Sequence, residues 1–323
     1  MVSPNLSEIV TTTLRNRSGV VADNVTKNNA LLARLRSRGK KKPWTGGRTI
    51  TQEIAYQENG TFKRYSGFDL LNVQPSDVIS AAEYDIKQAA VAVVMSGLEE
   101  LQNSGEDAVL DLLEQRIENA EDTMMNNISL DCYSDGTADG GRQIGGLQLL
   151  ISTSPTSGTV GGINRANWQF WRNQKFSASS DGGAAASTTN IQSYMNRLYL
   201  SCSRGADKTD LIIADNNYYR LYLESLQAIQ RITSNDEAMA GFDTLKYMGA
   251  DVVFDGGYGG GAPTNQMYFI NSKYLFYRPS SKRDMEPIGG DRMNSNQDAI
   301  MRLWGWAGNL TMSNAFLQGV LFA

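Results

Sequence analysis

The sequence predicts a mixed α+β protein in which one long acidic helix, an extended β-hairpin and a basic leading arm stand out from an ordinary globular background. Three observations carry this. Residues 106–130 keep a continuous apolar face at helical spacing. Two extended runs flank Asn59-Gly60, the dipeptide preferred in two-residue hairpin turns. Beyond residue 190, short apolar runs of helical and strand type alternate, with no repeat of fixed period.

Composition narrows the functional classes. The chain has 323 residues, 41% hydrophobic and 20% charged, which is typical of a globular protein with a substantial core. No apolar run approaches the roughly 18 residues of a membrane-spanning helix, so no membrane partner is expected. The opening Met1-Val2-Ser3-Pro4-Asn5 lacks the basic and apolar regions of a signal peptide, which points to a cytosolic site of synthesis. Histidine is absent altogether. That closes every Ser-His, Cys-His and His-metal mechanism and lowers the prospect of catalysis. Carboxylate pairs, Ser-Lys sites and Mg²⁺ sites stay open in principle, but no such constellation shows in the spacing. Neither a catalytic residue, a cofactor nor a metal is expected. Cys132 and Cys202 are too few for a disulfide framework or a zinc cage and read as small buried hydrophobes.

Charge is unevenly distributed although the net charge is only -4. Residues 1–42 carry nine Lys or Arg against Glu8 and Asp23, whereas residues 98–135 carry eleven Asp or Glu against Arg116 alone. Such asymmetry points to an acidic or basic partner surface, which another copy of the chain can supply.

Residues 1–47 read as a basic arm. Short helices are expected near Asn5–Arg17 and Asn24–Arg38, the second with an apolar stripe of Leu31, Leu32 and Leu35 beside Arg34, Arg36 and Arg38. Gly39 ends it, and Lys40-Lys41-Lys42-Pro43 follow. Neither piece can form a core alone, so the arm must lie on something else. A strict two-residue turn at Asn59-Gly60 sets Ile54 opposite Tyr65 and Tyr56 opposite Lys63. Ile50, Ile54, Tyr56 and Tyr65 then share one face, with Phe62, Phe68 and Leu70 on the other. Neither face is clearly dry, and an isolated hairpin is marginal in water, so contacts outside its own domain are expected to clamp it.

Residues 84–96 end in Ala89-Ala90-Val91-Ala92-Val93-Val94-Met95; β-branching favours a strand, although alanine suits a helix nearly as well locally. The helix over 106–130 is capped by Ser104 and Asp107 and buries Val109, Leu112, Leu113, Ile117, Ala120, Met124 and Ile128. Its other faces carry Asp111, Glu114, Glu118, Glu121 and Asp122, either as a solvated surface or as a docking face. Further on come a helix near Asn190–Ser203, a strand Leu211–Ala214 and a helix Asn217–Ile229 started by Asp215 or Asn216. Strands follow near Ala250–Phe254, Gln266–Asn271, Lys273–Arg278, Ala299–Thr311 and Phe316–Phe322.

Two tempting motifs fail. Gly256-Gly257-Tyr258-Gly259-Gly260-Gly261 lacks the Gly-Lys-Ser/Thr ending of a phosphate loop and precedes a strand, not a helix. Glu99 and Glu100 have no companion acid at metal spacing. The cations Arg34, Arg36, Arg38, Lys40, Lys41 and Lys42 suit non-specific contact with phosphates or docking on an acidic helix of a neighbour, without any base-reading module.

The order of these pieces resembles the major capsid proteins of tailed phages with the Hong Kong 97 fold. Gly97-Leu98-Glu99-Glu100-Leu101-Gln102-Asn103-Ser104-Gly105 resembles the family's approach to its spine helix, and Ile144-Gly145-Gly146-Leu147-Gln148 the segment after it. Asp210-Leu211-Ile212-Ile213-Ala214, Tyr218-Tyr219-Arg220, Phe242-Asp243-Thr244-Leu245 through Val252, and Met267-Tyr268-Phe269-Ile270-Asn271 resemble its axial domain. The resemblance implies an arm over 1–47, an extended loop over 48–75, and a peripheral domain over 76–150. It also implies an axial domain over 151–296, with 297–323 returning to both. It further implies a non-enzymatic subunit, with hexamers and pentamers closing an icosahedral head around double-stranded DNA, assembled in the bacterial cytoplasm. A portal, a scaffold and a decoration or cement protein are the implied partners. Some relatives carry a long N-terminal scaffolding segment; none is seen here, so a separate scaffold or another route of assembly is expected. The arm residues Leu31 to Lys42 and the loop residues Ile54, Tyr56, Asn59, Gly60, Phe62, Lys63, Tyr65 and Phe68 are the implied intersubunit contacts. Some relatives cross-link a loop lysine to an asparagine, but nothing identifies a partner for Lys63. A compartment shell of the encapsulin kind shares the fold, and a binding module acting through the basic arm is the other rival.

Overall fold

The computed structural model describes residues 29–96, 106–226, 245–256, 260–289, 292–293 and 299–323. The helix expected over Asn5–Arg17, the Ser104 cap and the Glu99–Glu100 pair lie outside them. In chain order the elements are helix α1 (Ala30–Ser37), strands β1 (Ile50–Ala55), β2 (Ile79–Tyr84) and β3 (Lys87–Ser96), then helix α2 (Glu106–Asp131). Strands β4 (Thr159–Val160), β5 (Ile163–Asn164) and β6 (Gln174–Ser177) follow, then α3 (Ile191–Ser201), β7 (Leu211–Ala214) and α4 (Asn216–Ser225). The later strands are β8 (Leu245–Tyr247), β9 (Ala250–Phe254), β10 (Gln266–Ile270), β11 (Leu275–Pro279), β12 (Glu286–Pro287), β13 (Arg292–Met293), β14 (Ala299–Met312) and β15 (Gly319–Phe322).

Two sheets organise the molecule. The larger runs β6-β15-β10-β7-β9-β8, parallel at β7/β9 and β6/β15 and antiparallel elsewhere. Both its faces are covered, which is why β7 reads as an unbroken apolar run. Ile212 and Ala214 face α3 and α4, while Leu211 and Ile213 face a second core shared with α1, α2 and the other sheet. Asp215 caps α4 as expected, its Oδ1 accepting from the Tyr218 N–H at 2.9 Å.

The other sheet is built on β14. β3 runs along one edge from Ala299↔Ser96 to Gly308↔Lys87, and β11, β12 and β13 take successive parts of the opposite edge. Along β3, residues 87–94 alternate between partly or fully buried and exposed, the period of a half-buried strand. That pairing decides the Ala-rich ambiguity in favour of strand. Trp304 and Trp306 are buried from β14, and Tyr277 of β11 stacks on Trp306 with ring centroids 6.0 Å apart.

Helix α2 presents Ile117, Ala120, Met124 and Ile128 to the shared core, and its burial continues into Cys132 and Tyr133. Both cysteines are free and buried, and burial raises their thiol pKa values. Just past α2, the Ile144-Gly145-Gly146-Leu147 stretch passes so close that a Cβ on Gly146 overlaps Ser134 N, Asp131 O and Cys132 C. Arg165 secures the following turn by donating to the Leu149 carbonyl at 3.1 Å and to that of Leu150. Among the described residues it pairs with no carboxylate, and burial pushes its pKa down to about 10.

The hairpin expected at Asn59-Gly60 is corrected. β1 pairs instead with β2, so Ile54 faces Ser80, not Tyr65, and the excursion between them spans residues 56–78. A tight turn of that kind needs positive φ at both central residues, and neither Asn59 nor Gly60 adopts it. The Asn59 side chain instead accepts from the Thr61 N–H (3.0 Å) and hydroxyl (2.7 Å), which turns the chain locally without strand pairing.

Gly146→Ala forces backbone apart where no flexible side chain can yield. Overpacking of this kind costs about 1–3 kcal/mol. Urea unfolding is expected to show a lower midpoint by that amount, whereas Gly60→Ala, with open space around its Cβ, leaves the midpoint unchanged.

Candidate functional site

The basic arm, the 56–78 excursion and the acidic helix are the surfaces singled out by the sequence, and the structure gives them different roles. The arm is seated on its own chain. Leu31, Leu32 and Leu35 are buried in the core between the two sheets, so this stripe is not left free for another subunit. Helix α1 begins at Asn29, whose Oδ1 accepts from the Leu32 N–H at 3.1 Å. It ends through Gly39 at φ 64, where Lys40 N–H reaches back to Leu35 O at 2.7 Å. Residues 40–44 then run parallel to β11: Lys42 N–H donates to Tyr277 O (2.9 Å), Tyr277 N–H to Lys40 O (3.1 Å) and Trp44 N–H to Pro279 O (2.7 Å).

Electrostatics fixes this seat. Parallel pairing of β7 with β9 sets Leu211 opposite Asp251, which brings Asp210 and Asp251 side by side. Arg34 answers both, with Nη2 2.9 Å from Asp251 Oδ2 and 3.1 Å from Asp210 O. Arg38 adds a contact to Asp210 at 3.3 Å, and Lys41 pairs with Asp284 at 2.7 Å. Lys40 and Lys42 lie over the Phe276 ring at 4.9 and 5.4 Å. Arg36 is exposed on the outer side of α1. The carboxylates that Arg34, Arg38 and Lys41 of the arm root meet are thus Asp210, Asp251 and Asp284. No sequence signal pointed to them, because their adjacency depends on strand register.

Asp255 closes the seat from the other side. Its carboxylate accepts from the Tyr133 hydroxyl and from the backbone N–H groups of Gly261 and Ala30. One residue thereby ties the end of α2, the larger sheet and the start of α1. Asn29 adds a bond from Nδ2 to Ser129 O at 3.3 Å. Burial raises the Asp255 pKa above the ordinary carboxylate range, against the hydrogen bonds that lower it.

The excursion is the opposite case. Its root is anchored: Ile50, Ile54, Ala82 and Tyr84 are buried, and the Tyr84 hydroxyl donates to Met312 O at 3.0 Å. Tyr56 leans on Trp168 and Phe170 with centroids 5.9 and 6.0 Å away. Beyond that root, Phe62 (77% exposed), Tyr65, Phe68, Leu70 (90% exposed), Leu71 and Val73 all project into solvent. Lys63 donates to Leu70 O within the excursion at 3.1 Å. On α2, Glu118 and Asp122 are exposed and Glu121 is half-buried, while the side chains of Asp111 and Glu114 lie outside the described residues.

Among the described residues, no group of three or more His, Cys, Asp or Glu side chains is placed to hold a metal, and no helix is long and apolar enough to cross a membrane.

Two measurements test the seat. Arg34→Met leaves Asp251 buried without its nearest cation, and breaking a buried pair from one side costs about 3–5 kcal/mol. Adding Asp251→Asn is expected to restore part of that loss in a double-mutant cycle read by urea unfolding. For Asp255, a raised folded-state pKa means that the folded chain holds the proton more tightly. Wild type should therefore gain stability over Asp255→Asn as pH falls through the raised value toward the ordinary carboxylate pKa of about 4. Parallel stability–pH curves would contradict this.

No protein-family model matches the chain, and no curated protein matches it in sequence. Solved structures do. The capsid asymmetric unit of Cyanophage A-1(L) superposes with a TM-score of 0.62 at 18% identity over 88% of each chain. The capsid of an empty GTA particle gives 0.58 at 10% identity, again over 88% of each chain. The SrpI encapsulin of Synechococcus elongatus PCC 7942 gives 0.55 at 9% identity, over 90% of this chain and 86% of its own. At that coverage the likeness shows the overall fold, and the chain has the Hong Kong 97-like capsid fold.

Proposed function

We propose that the chain is a structural major capsid protein that assembles, as hexamers and pentamers of itself, into the icosahedral head of a tailed phage around double-stranded DNA. The observation that carries this reading is the 56–78 excursion on a capsid fold. A cluster of large apolar side chains held in water by a firmly rooted arm of chain is a surface awaiting a partner. A second copy is the partner that closed symmetric assembly supplies. Ile54 roots the excursion. Tyr56 sits at its base, and Phe62, Lys63, Tyr65 and Phe68, with Asn59 and Gly60 at the turn, meet the neighbour. The acidic face of α2, with Glu118, Glu121 and Asp122, is a second contact surface, joined by Asp111 and Glu114. Portal, scaffold and decoration proteins complete the head, which is built in the bacterial cytoplasm and ends as the virion capsid. The protein carries out no catalysis in this role.

A compartment shell is the second reading, favoured by the similarity to the SrpI encapsulin. Its contents distinguish it: packaged enzyme in one case, nucleic acid in the other.

Replacing Phe62 and Phe68 together by Ser is expected to leave a folded subunit, since both side chains touch little of their own chain, yet to abolish closed shells in negative-stain electron microscopy. Normal particles from that variant would overturn the role given to the excursion. Wild-type protein that stays monomeric alone and with its scaffold would overturn the capsid reading itself.

A further inference from the structure

The chain contains one Asn-Gly dipeptide, Asn59-Gly60, and the structure places it at an exposed turn of the excursion. Glycine is the residue that least obstructs attack by its own backbone nitrogen on the preceding side chain. Thr61 adds a second feature. Its N–H and hydroxyl both donate to Asn59 Oδ1, at 3.0 and 2.7 Å. Two donors on one amide oxygen draw electrons from Cγ and stabilise the negative charge that gathers on that oxygen when a nucleophile adds, as donors do in an oxyanion hole.

We propose that Asn59 is a self-modification site: the free subunit deamidates there, and Thr61 promotes the step. Solvent base removes the Gly60 amide proton, and the nitrogen attacks Asn59 Cγ to close a five-membered imide. The Cγ–Nδ2 bond breaks, and ammonia leaves with a proton taken from solvent. Water then adds to either ring carbonyl and opens the imide to an aspartate or an isoaspartate. No oxidant, metal or cofactor is required.

The chain also carries its own control. Asn271-Ser272 has a comparable turn, with Lys273 N–H donating to Asn271 Oδ1 at 3.2 Å, but Asn271 is buried in the fold. Rigid, water-poor surroundings hold the backbone away from the geometry of ring closure. The contrast between the two asparagines isolates exposure and the following glycine as the determinants.

The consequence rests on the capsid reading. A new carboxylate at the turn beside Phe62 replaces a neutral amide in the proposed contact, and burying a charge there without a matched partner is costly. Subunits that wait too long before assembly lose competence, whereas assembled ones, with the excursion clamped on a neighbour, are protected. Deamidation would act as a clock on the unassembled pool.

The test is to incubate the purified full chain at mildly alkaline pH and follow tryptic peptide 49–63 by mass spectrometry. The expected result is a progressive mass shift of O for NH, together with isoaspartate. The shift should be lost in Gly60→Ala, slowed in Thr61→Val and absent from the peptide bearing Asn271. An unmodified Asn59 under conditions that leave Asn271 intact would overturn the site, and an unchanged rate in Thr61→Val would overturn the part assigned to Thr61. Shell yield of Asn59→Asp against Asn59→Gln tests the consequence. Equal yields beside a competent wild type would overturn the clock but not the capsid reading, and a wild type that never assembles would overturn that reading while leaving the chemistry standing.

Discussion

The constraint on which the rest of the subunit depends is the neutralisation of Asp210 and Asp251 by Arg34. Parallel pairing of β7 and β9 holds these carboxylates next to each other at the end of the larger sheet, with Asp251 almost fully buried. Two neighbouring carboxylates in a partly dry site repel, and burial multiplies the penalty. Arg34 relieves it with one planar group that reaches both, and Arg38 and Lys246 add weaker contacts at 3.3 and 3.9 Å. Once Arg34 is fixed, the register of α1 is fixed with it, and Leu31, Leu32 and Leu35 fall into the core on the adjoining face of the same helix. Residues 40–44 can then add to β11, and the arm root becomes a clasp over both sheets and the end of α2.

This reverses the meaning of the basic arm. Six cations in nine residues suggest a partner outside the chain, yet Arg34, Arg38 and Lys41 find theirs on the chain itself. Their acceptors come from positions 210, 251 and 284, far apart in sequence, and only the fold brings them to one place. Exposed ion pairs contribute little singly, but the Arg34 pair is not exposed: the two side chains are 11% and 7% accessible. On its outer side the arm root exposes Arg36, while Lys40 and Lys42 lie over the Phe276 ring.

The sequence revealed those features whose causes are local. The second half of the α2 stripe (Ile117, Ala120, Met124 and Ile128), the Gly39 stop, the Asp215 cap and the buried run of β7 each depend on residues within a few positions of one another. Each is found where expected, while the Val109, Leu112 and Leu113 side chains lie outside the described residues. β14 was legible because it is long and mostly apolar. The Asn59-Gly60 hairpin misled for a definite reason. That dipeptide favours a two-residue turn only if the flanking strands gain by pairing, and residues 62–70 offer no buried face to reward it. Strand β2, with Ala82 and Tyr84 alone buried, carries too weak an alternation to be recognised, yet Tyr84 is locked to Met312 and so wins the pairing. The anchors of the arm and the Asp255 junction were invisible because they exist only after register and topology are set.

The two extremes of burial in this chain therefore answer each other. The arm root and the base of the excursion are held by dense internal bonding, while the excursion beyond Tyr56 displays its apolar side chains to water. A subunit built so loses little on its own, because the projecting segment adds nothing to the core and its exposure does not threaten the fold. In the proposed capsid role it gains when another copy covers that segment. The individual contacts are small, but repetition around a closed symmetric shell multiplies them without new chemistry. A rigid base is what makes such a scheme selective. If β1 and β2 were loose, the apolar tip would collapse onto its own subunit or meet a neighbour in many orientations. With Ile50, Ile54 and Tyr84 fixed, it leaves the subunit in one direction, and in the proposed shell that direction is what a neighbour would meet.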